Sequence, residues 1–214
     1  MGKFKSLEEI SSSYKLIIID TCAFQQILIR DSNLKSTEEK LKNYLMQKES
    51  LQFWRENIGH YGNCYTTSEV IEEMRSVRHY SYKEAIKGDY LMKKKPYLLQ
   101  LRRAIRDLNK ERNRLATYLE DKEKILKLNK DEDYLYDIFY GKYLELKDDY
   151  GLLGADFPLL IFGGVTSQTR ESSAIISNDH GIVSAWSSFL EAEKLSKEKF
   201  GFFVRKSISL FERK

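Results

Sequence analysis

Three consecutive isoleucines, Ile17-Ile18-Ile19, preceded by Lys15-Leu16 and closed by Asp20, constrain the fold more than any other stretch of the chain. A run that is apolar at every position and β-branched at three cannot offer one face to water. It predicts a strand buried on both sides, the condition of a strand inside a parallel sheet. Ala174-Ile175-Ile176-Ser177 repeats the pattern near the other end of the chain, and Phe202-Phe203-Val204 follows it. Cys64-Tyr65-Thr66 reads as a further short strand. Between these runs lie segments with helical spacing, over 23–29, 37–57, 68–78, 156–167 and 181–195. Strands alternating with helices predict an α/β fold: a central parallel sheet between helical layers, closed by right-handed crossovers.

The stretch 80–150 departs from that alternation and holds almost only helical pattern. Leu98, Leu101, Ile105, Leu108, Leu115, Leu119 and Leu126 recur at steps of three and four, with Arg112 and Lys122 at the remaining seam positions. That is the period of a coiled-coil seam. It predicts a long inserted helical hairpin or arm, with its second limb over 131–149. The chain then divides into a core made of 1–78 and 150–214 and an inserted arm over 79–149.

Composition narrows the classes. With 42% hydrophobic residues, the 214-residue chain has enough apolar surface for a core, which argues against global disorder. Cys22 and Cys64 lack zinc-type spacing and predict no disulfide framework, so a reducing compartment is expected. No uncharged apolar run approaches the ~20 residues that a membrane span needs. The segment from Met1 to Ser6 lacks the apolar stretch of a signal peptide. The expectation is a cytoplasmic protein with no membrane partner. The net charge of +4 is too small to imply a nucleic-acid partner by itself.

Ligands of open α/β sheets bind at the carboxyl ends of the strands. Asp20 stands directly after the first strand, and Asp179 two residues after Ser177. Each has two readings, as an ordinary helix cap or turn residue and as a ligand. Glu73 lies in a helix that opens at Thr66-Thr67-Ser68, where Glu69 and Glu73 share a face and Glu72 points sideways. Asp156 borders one of the most apolar helices in the chain, with Pro158 in its first turn. A charge there is better explained by a metal-facing role than by capping. His180, beside Asp179, reads as a surface residue of a turn.

In their order these four pieces resemble the PIN-domain nucleases. Ile17-Ile18-Ile19-Asp20-Thr21-Cys22-Ala23-Phe24 is similar to the family's opening strand and first acid. Residues 65–74 resemble the second block, with Glu73 in the matching place and Glu69 or Glu72 as substitutes. Gly154-Ala155-Asp156 resembles the third block, and Ile175-Ile176-Ser177-Asn178-Asp179 the fourth. Cys22 departs from the pattern, because a serine or similar polar residue often stands there. The resemblance covers roughly 14–78 and 150–206 and leaves the insertion outside.

The resemblance implies a PIN-like three-layer core and a metal-dependent endoribonuclease that leaves a 5′-phosphate and a 3′-hydroxyl. Asp20 and Asp156 would ligate Mg²⁺ or Mn²⁺, Glu73 and Asp179 would act directly or through water, and Thr21 and Asn178 would orient a ligand or a water. Converging carboxylates repel one another unless a cation binds, and hard oxygen donors suit these two ions. An RNA-processing enzyme of the kind that trims tRNA and a toxin-type ribonuclease with a protein inhibitor both fit. A structure-selective DNA nuclease and a non-catalytic nucleic-acid-binding module stand as alternatives.

From 93 to 114 the chain carries nine basic residues, Lys93, Lys94, Lys95, Arg102, Arg103, Arg106, Lys110, Arg112 and Arg114, against Asp107 and Glu111. Such a patch binds phosphate backbones by counterion release, which makes RNA, favoured here over DNA, the expected partner. Tyr90 and Tyr97 flank the lysines and are candidates for stacking on bases. The apolar seam is also a candidate oligomer contact, and Asp131-Glu132-Asp133 a candidate partner for basic residues of the arm or of a second copy.

Overall fold

The computed structural model describes residues 5–25, 37–76, 95–205 and 208–209, with the side chains of 5, 37, 95–98 and 209 outside that description. The chain runs β1 (Lys5–Ser6), α1 (Leu7–Ser13), β2 (Leu16–Ile19), α2 (Thr21–Gln25) and α3 (Thr37–Asn57). It continues through β3 (Cys64–Tyr65), α4 (Ser68–Arg75), α5 (Lys95–Asp121), α6 (Lys130–Lys142) and α7 (Leu144–Asp149). It closes with α8 (Asp156–Thr169), β4 (Ser173–Ser177), α9 (His180–Glu193), β5 (Phe200–Val204) and β6 (Ile208–Ser209). Four strands form one all-parallel sheet in the order β3-β2-β4-β5. The fold is therefore α/β with a parallel centre, as the apolar runs require. Every residue of β2 and of β4 is buried. Among the described residues no helix is long and apolar enough to cross a membrane.

The short β1 pairs in parallel with β6 outside the main sheet. With α1 it forms an element that the periodicity did not reveal. A capping box opens that helix: the Ser6 hydroxyl accepts from Glu9 N, and the Glu9 carboxylate accepts from Ser6 N. The helix expected over 23–29 is seen as α2 to Gln25, and the rest lies outside the described residues. The last strand begins at Phe200 rather than Phe202, because Phe200 buries its ring beneath Trp186 and Phe189.

The predicted arm over 79–149 is not confirmed, and its part over 79–94 lies outside the described residues. Leu101, Ile105, Leu108, Leu115 and Leu119 are buried as the seam requires, but they close on α3 and α4 and join the apolar core of the described residues. The second limb divides at Tyr143 into α6 and α7, and α6 packs on α8. The two limbs do not pack along each other. A 3.5-residue seam says that a helix needs a partner without naming it, and here α3 supplies the partner. The exit of α5 is tied to the sheet edge, where Thr66 N donates to Lys124 O at 2.9 Å and Leu126 N to Thr66 O at 2.8 Å. Glu132, expected to pair within the arm or across a dimer, instead takes a two-point contact from Arg170 at the end of α8.

The approach of α8 to the sheet and to α9 depends on Gly163-Gly164. A Cβ at Gly164 would lie 2.3 Å from Phe189 Cζ, and Phe189 is fully buried and cannot withdraw. Gly164→Ala gains up to ~1 kcal/mol of helix propensity but overpacks the core at a cost of about 2–3 kcal/mol. The expected net result is a lower denaturation midpoint. An unchanged midpoint would mean that the ring yields.

Candidate carboxylate site

The sheet order creates a crevice. From β2 the chain leaves to one side to form β3, then returns across to form β4 and β5, so β2 and β4 flank a topological switch point. Asp20 follows β2 and Asp179 follows β4, which places both at the carboxyl edge beside that crevice. Alternation along β4 turns Ser173, Ile175 and Ser177 toward α8, as the contact of Ser173 Oγ with Gly163 O (2.8 Å) records. Asp20 lies beside Ser177 in register and shares that face, and α8 begins there with Asp156. The fourth acid arrives on α4, capped by Thr67, whose hydroxyl accepts from Val70 N.

Asp20 is almost completely buried. Its Oδ1 accepts from Thr21 N (2.6 Å), and its Oδ2 accepts from Ser177 Oγ and Cys22 Sγ, both at 2.7 Å. Burial raises the Asp20 pKa, the three donors oppose that rise, and the charge of Asp179 adds to it. The departure at Cys22 is resolved by these contacts. Burial first, and Asp20 second, push the Cys22 thiol well above its ordinary range, so it stays protonated and donates as a hydroxyl would. Asn178 N donates in turn to Cys22 Sγ (3.0 Å).

Thr21 Oγ1 donates to Glu73 Oε2 at 2.9 Å, linking the first acid's neighbour to the second acid. The three glutamates of this helix differ in their surroundings. Glu73 meets Thr21, the charge of Glu69 acts on Tyr136, and Glu72 is exposed. Asp179 caps α9, its Oδ1 accepting from Gly181 N (2.7 Å) and Ile182 N (3.2 Å). Its two readings, cap and site residue, are compatible in one side chain. Asp156 is the first residue of α8, after Ala155 at the cap position, and its Oδ2 accepts from Leu153 N (3.2 Å). Gly154, at φ +54°, supplies the left-handed turn that delivers it.

Asp156 shows what the arrangement does electrostatically. Its pKa is pushed up to about 8, first by burial, then by the charges of Asp20, Asp179 and Glu73, against the opposing Leu153 amide. Acids from four separate elements therefore act on one another at one edge of the sheet. Among the described residues no three His, Cys, Asp or Glu side chains close into a ready-made cation cage. The donor set is all oxygen, which fits a hard divalent cation.

Periodicity missed the contribution of Ser177, whose hydroxyl joins Asp20 to the amide of Asp179 (3.0 Å). The only signal for it was a serine ending an otherwise apolar strand. His180 is exposed. Lys93, Lys94 and Tyr90 lie outside the described residues, as do the side chains of Lys95 and Tyr97. Arg102, Arg103 and Arg106 are exposed on α5. The fold and the site together define an α/β protein with a carboxylate cluster at the switch point of its parallel sheet. Compared with family models, with curated proteins and with solved structures, the chain gives no match.

Proposed function

We propose that this chain is a metal-dependent nuclease with a PIN-like active site, acting as an endoribonuclease. The observation that carries the reading is the environment of Asp156, whose pKa is raised by burial and by three neighbouring carboxylates. Four acids held together this way cost folding stability, and a bound divalent cation is what would relieve that cost. Asp20 and Asp156 would hold the ion, with Glu73 and Asp179 completing the site directly or through water. Bound there, Mg²⁺ or Mn²⁺ supplies Lewis acidity toward the scissile phosphate and toward a water.

The chain's own residues set the geometry. Ser177, Cys22 and the Thr21 amide fix the Asp20 carboxylate, and the Thr21 hydroxyl fixes Glu73. In the hydrolysis, a water oxygen bonds to phosphorus as the P–O3′ bond breaks, the water's proton passes to solvent or a site carboxylate, and the leaving 3′ oxygen takes up a proton from solvent. The products are a 5′-phosphate and a 3′-hydroxyl.

The test is incubation of the protein with labelled structured RNA and with single-stranded DNA, in Mg²⁺, Mn²⁺ or EDTA, beside Asp20→Asn. The expected result is RNA cleavage that needs the metal and falls roughly 10³-fold in the variant, about 4 kcal/mol of barrier. Preferential cutting of DNA would overturn the RNA assignment. Absence of metal-dependent cleavage of either polymer would sink the nuclease reading.

A further inference from the structure

On α5, buried and exposed positions separate cleanly. At ~100° per residue, Leu101, Ile105, Leu108, Arg112, Leu115 and Leu119 form one face, and all are buried. Arg103, Arg106, Lys110 and Arg114 lie about 180° from it and are all exposed, with Arg102 on the flank. The buried face is the one fastened to the site-bearing helix. Arg112 Nη2 donates to Glu73 O at 3.0 Å, and Arg75 of α4 makes a two-point pair with Glu120. The cations therefore form a straight ridge directed away from the carboxylates.

Among the described residues the ridge is poorly neutralised. Its recorded ion pairs are Arg106 with Asp107 (3.7 Å) and Arg114 with Glu111 (3.3 Å), both within α5. Glu111 is in addition already bonded to Arg55 Nε at 2.6 Å. Arg103 and Lys110 make no ion pair among the described residues. Arg106–Lys110 and Lys110–Arg114 are like charges four residues apart, a spacing that weakens a helix. An external polyanion would relieve that repulsion.

We propose that this ridge is a docking surface for a base-paired stem of a nucleic acid, remote from the bond that is cut. The inference rests on the nuclease reading above and deepens it by naming the class of substrate. From Arg103 to Arg114 the ridge spans ~16 Å, about five nucleotide steps at ~3.4 Å each along one strand. Reaching the carboxylates from there means passing around a helix ~10 Å across. A fragment of ~4 nucleotides can touch one site but not both. A stem fits better than a single strand because its backbone holds phosphates in a fixed line, matching cations held in line by a helix.

The experiment compares the full chain with Arg103→Gln/Arg106→Gln/Lys110→Gln, variants on an exposed face where folding is retained. Binding of an RNA hairpin with a stem of ~24 base pairs is followed by anisotropy in EDTA across a salt series, beside a ~4-nucleotide strand and phosphatidylserine vesicles. The triple variant is expected to bind the hairpin at least ~10-fold more weakly, with the slope of log K against log salt reduced by about 2–3. An unchanged salt slope, an equal loss on the short strand, or tighter binding to the vesicles would overturn the docking surface. The EDTA arm decides this whether or not the protein cuts, so failure of the nuclease reading appears separately, as absence of cleavage in Mg²⁺.

Discussion

Asp156→Asn is expected to abolish cleavage and, at the same time, to stabilise the protein. The two effects have one cause. Burial and three neighbouring carboxylates raise the Asp156 pKa to about 8, against roughly 3.9 in an unfolded chain. Between those values the folded protein holds a proton that the unfolded chain releases, so its stability falls as pH rises and is lowest above about 8. At pH 7 the burden, discounted for the water that reaches a partly exposed group, is about 2 kcal/mol. An asparagine carries no charge and removes it.

The melting temperature of Asp156→Asn should therefore exceed that of the wild type by roughly 4–8 °C at pH 7.5 for a chain of this size. The gain should shrink toward pH 5, where less of the burden has developed. Added Mg²⁺ or Mn²⁺ should stabilise the wild type and leave the variant nearly unmoved, because stabilisation by a ligand requires that it bind the folded state. The loss of cleavage should reach roughly 10³-fold. Calorimetry of both proteins at two pH values, with and without metal, checks all of this. A variant less stable than the wild type at pH 7.5 would falsify the view that the acids repel.

The second large effect concerns stability alone. Glu132 is buried, and Arg170 meets it through Nε (2.5 Å) and Nη2 (2.6 Å), with Thr169 Oγ1 and the Asn129 amide completing the contacts. The Arg170 guanidinium, above all, holds the Glu132 carboxyl at about 2. This contact joins the start of α6 to the end of α8, the helix whose other end carries Asp156. Removing one partner of a buried pair costs about 3–5 kcal/mol, because the other charge stays behind uncompensated.

The two single variants should differ. Arg170→Ala leaves Glu132 fully buried, at 1% exposure, whereas Glu132→Ala leaves Arg170 one third exposed and able to find water. Arg170→Ala is thus expected to lose about 4–5 kcal/mol and Glu132→Ala about 2–3 kcal/mol. The pH sign follows from a depressed carboxyl. Its contribution is complete above the unfolded value of ~4.3 and is lost as pH falls toward 2. The wild type should therefore lose more stability than Glu132→Ala between pH 5 and pH 2. Urea denaturation across that range measures both, and the reverse order of the two variants would sink the account.

Several features were determined by local chemistry and so were legible in the sequence. Ile17, Ile18 and Ile19 leave no polar face, so β2 had to lie inside a parallel sheet, and the acids that end β2 and precede α9 had to stand at its carboxyl edge. The helix that follows Ser6 was missed, because it is too short for its periodicity to show. Tertiary packing decided the rest. The seam of α5 required an apolar partner, and only the folded chain shows that α3 fills that role in place of the α6 limb. Arg112, an anomaly in that seam, becomes intelligible once its guanidinium is seen on the carbonyl of Glu73. Glu132, one acid in an acidic run, acquires its role from Arg170, 38 residues away. The preference for Glu73 over Glu69 and Glu72 rests on the Thr21 hydroxyl, 52 residues distant. Burial and periodicity are properties of neighbours along the chain. Partners, charge environments and the direction in which a basic face points depend on residues brought together from afar, and these only the tertiary structure could decide.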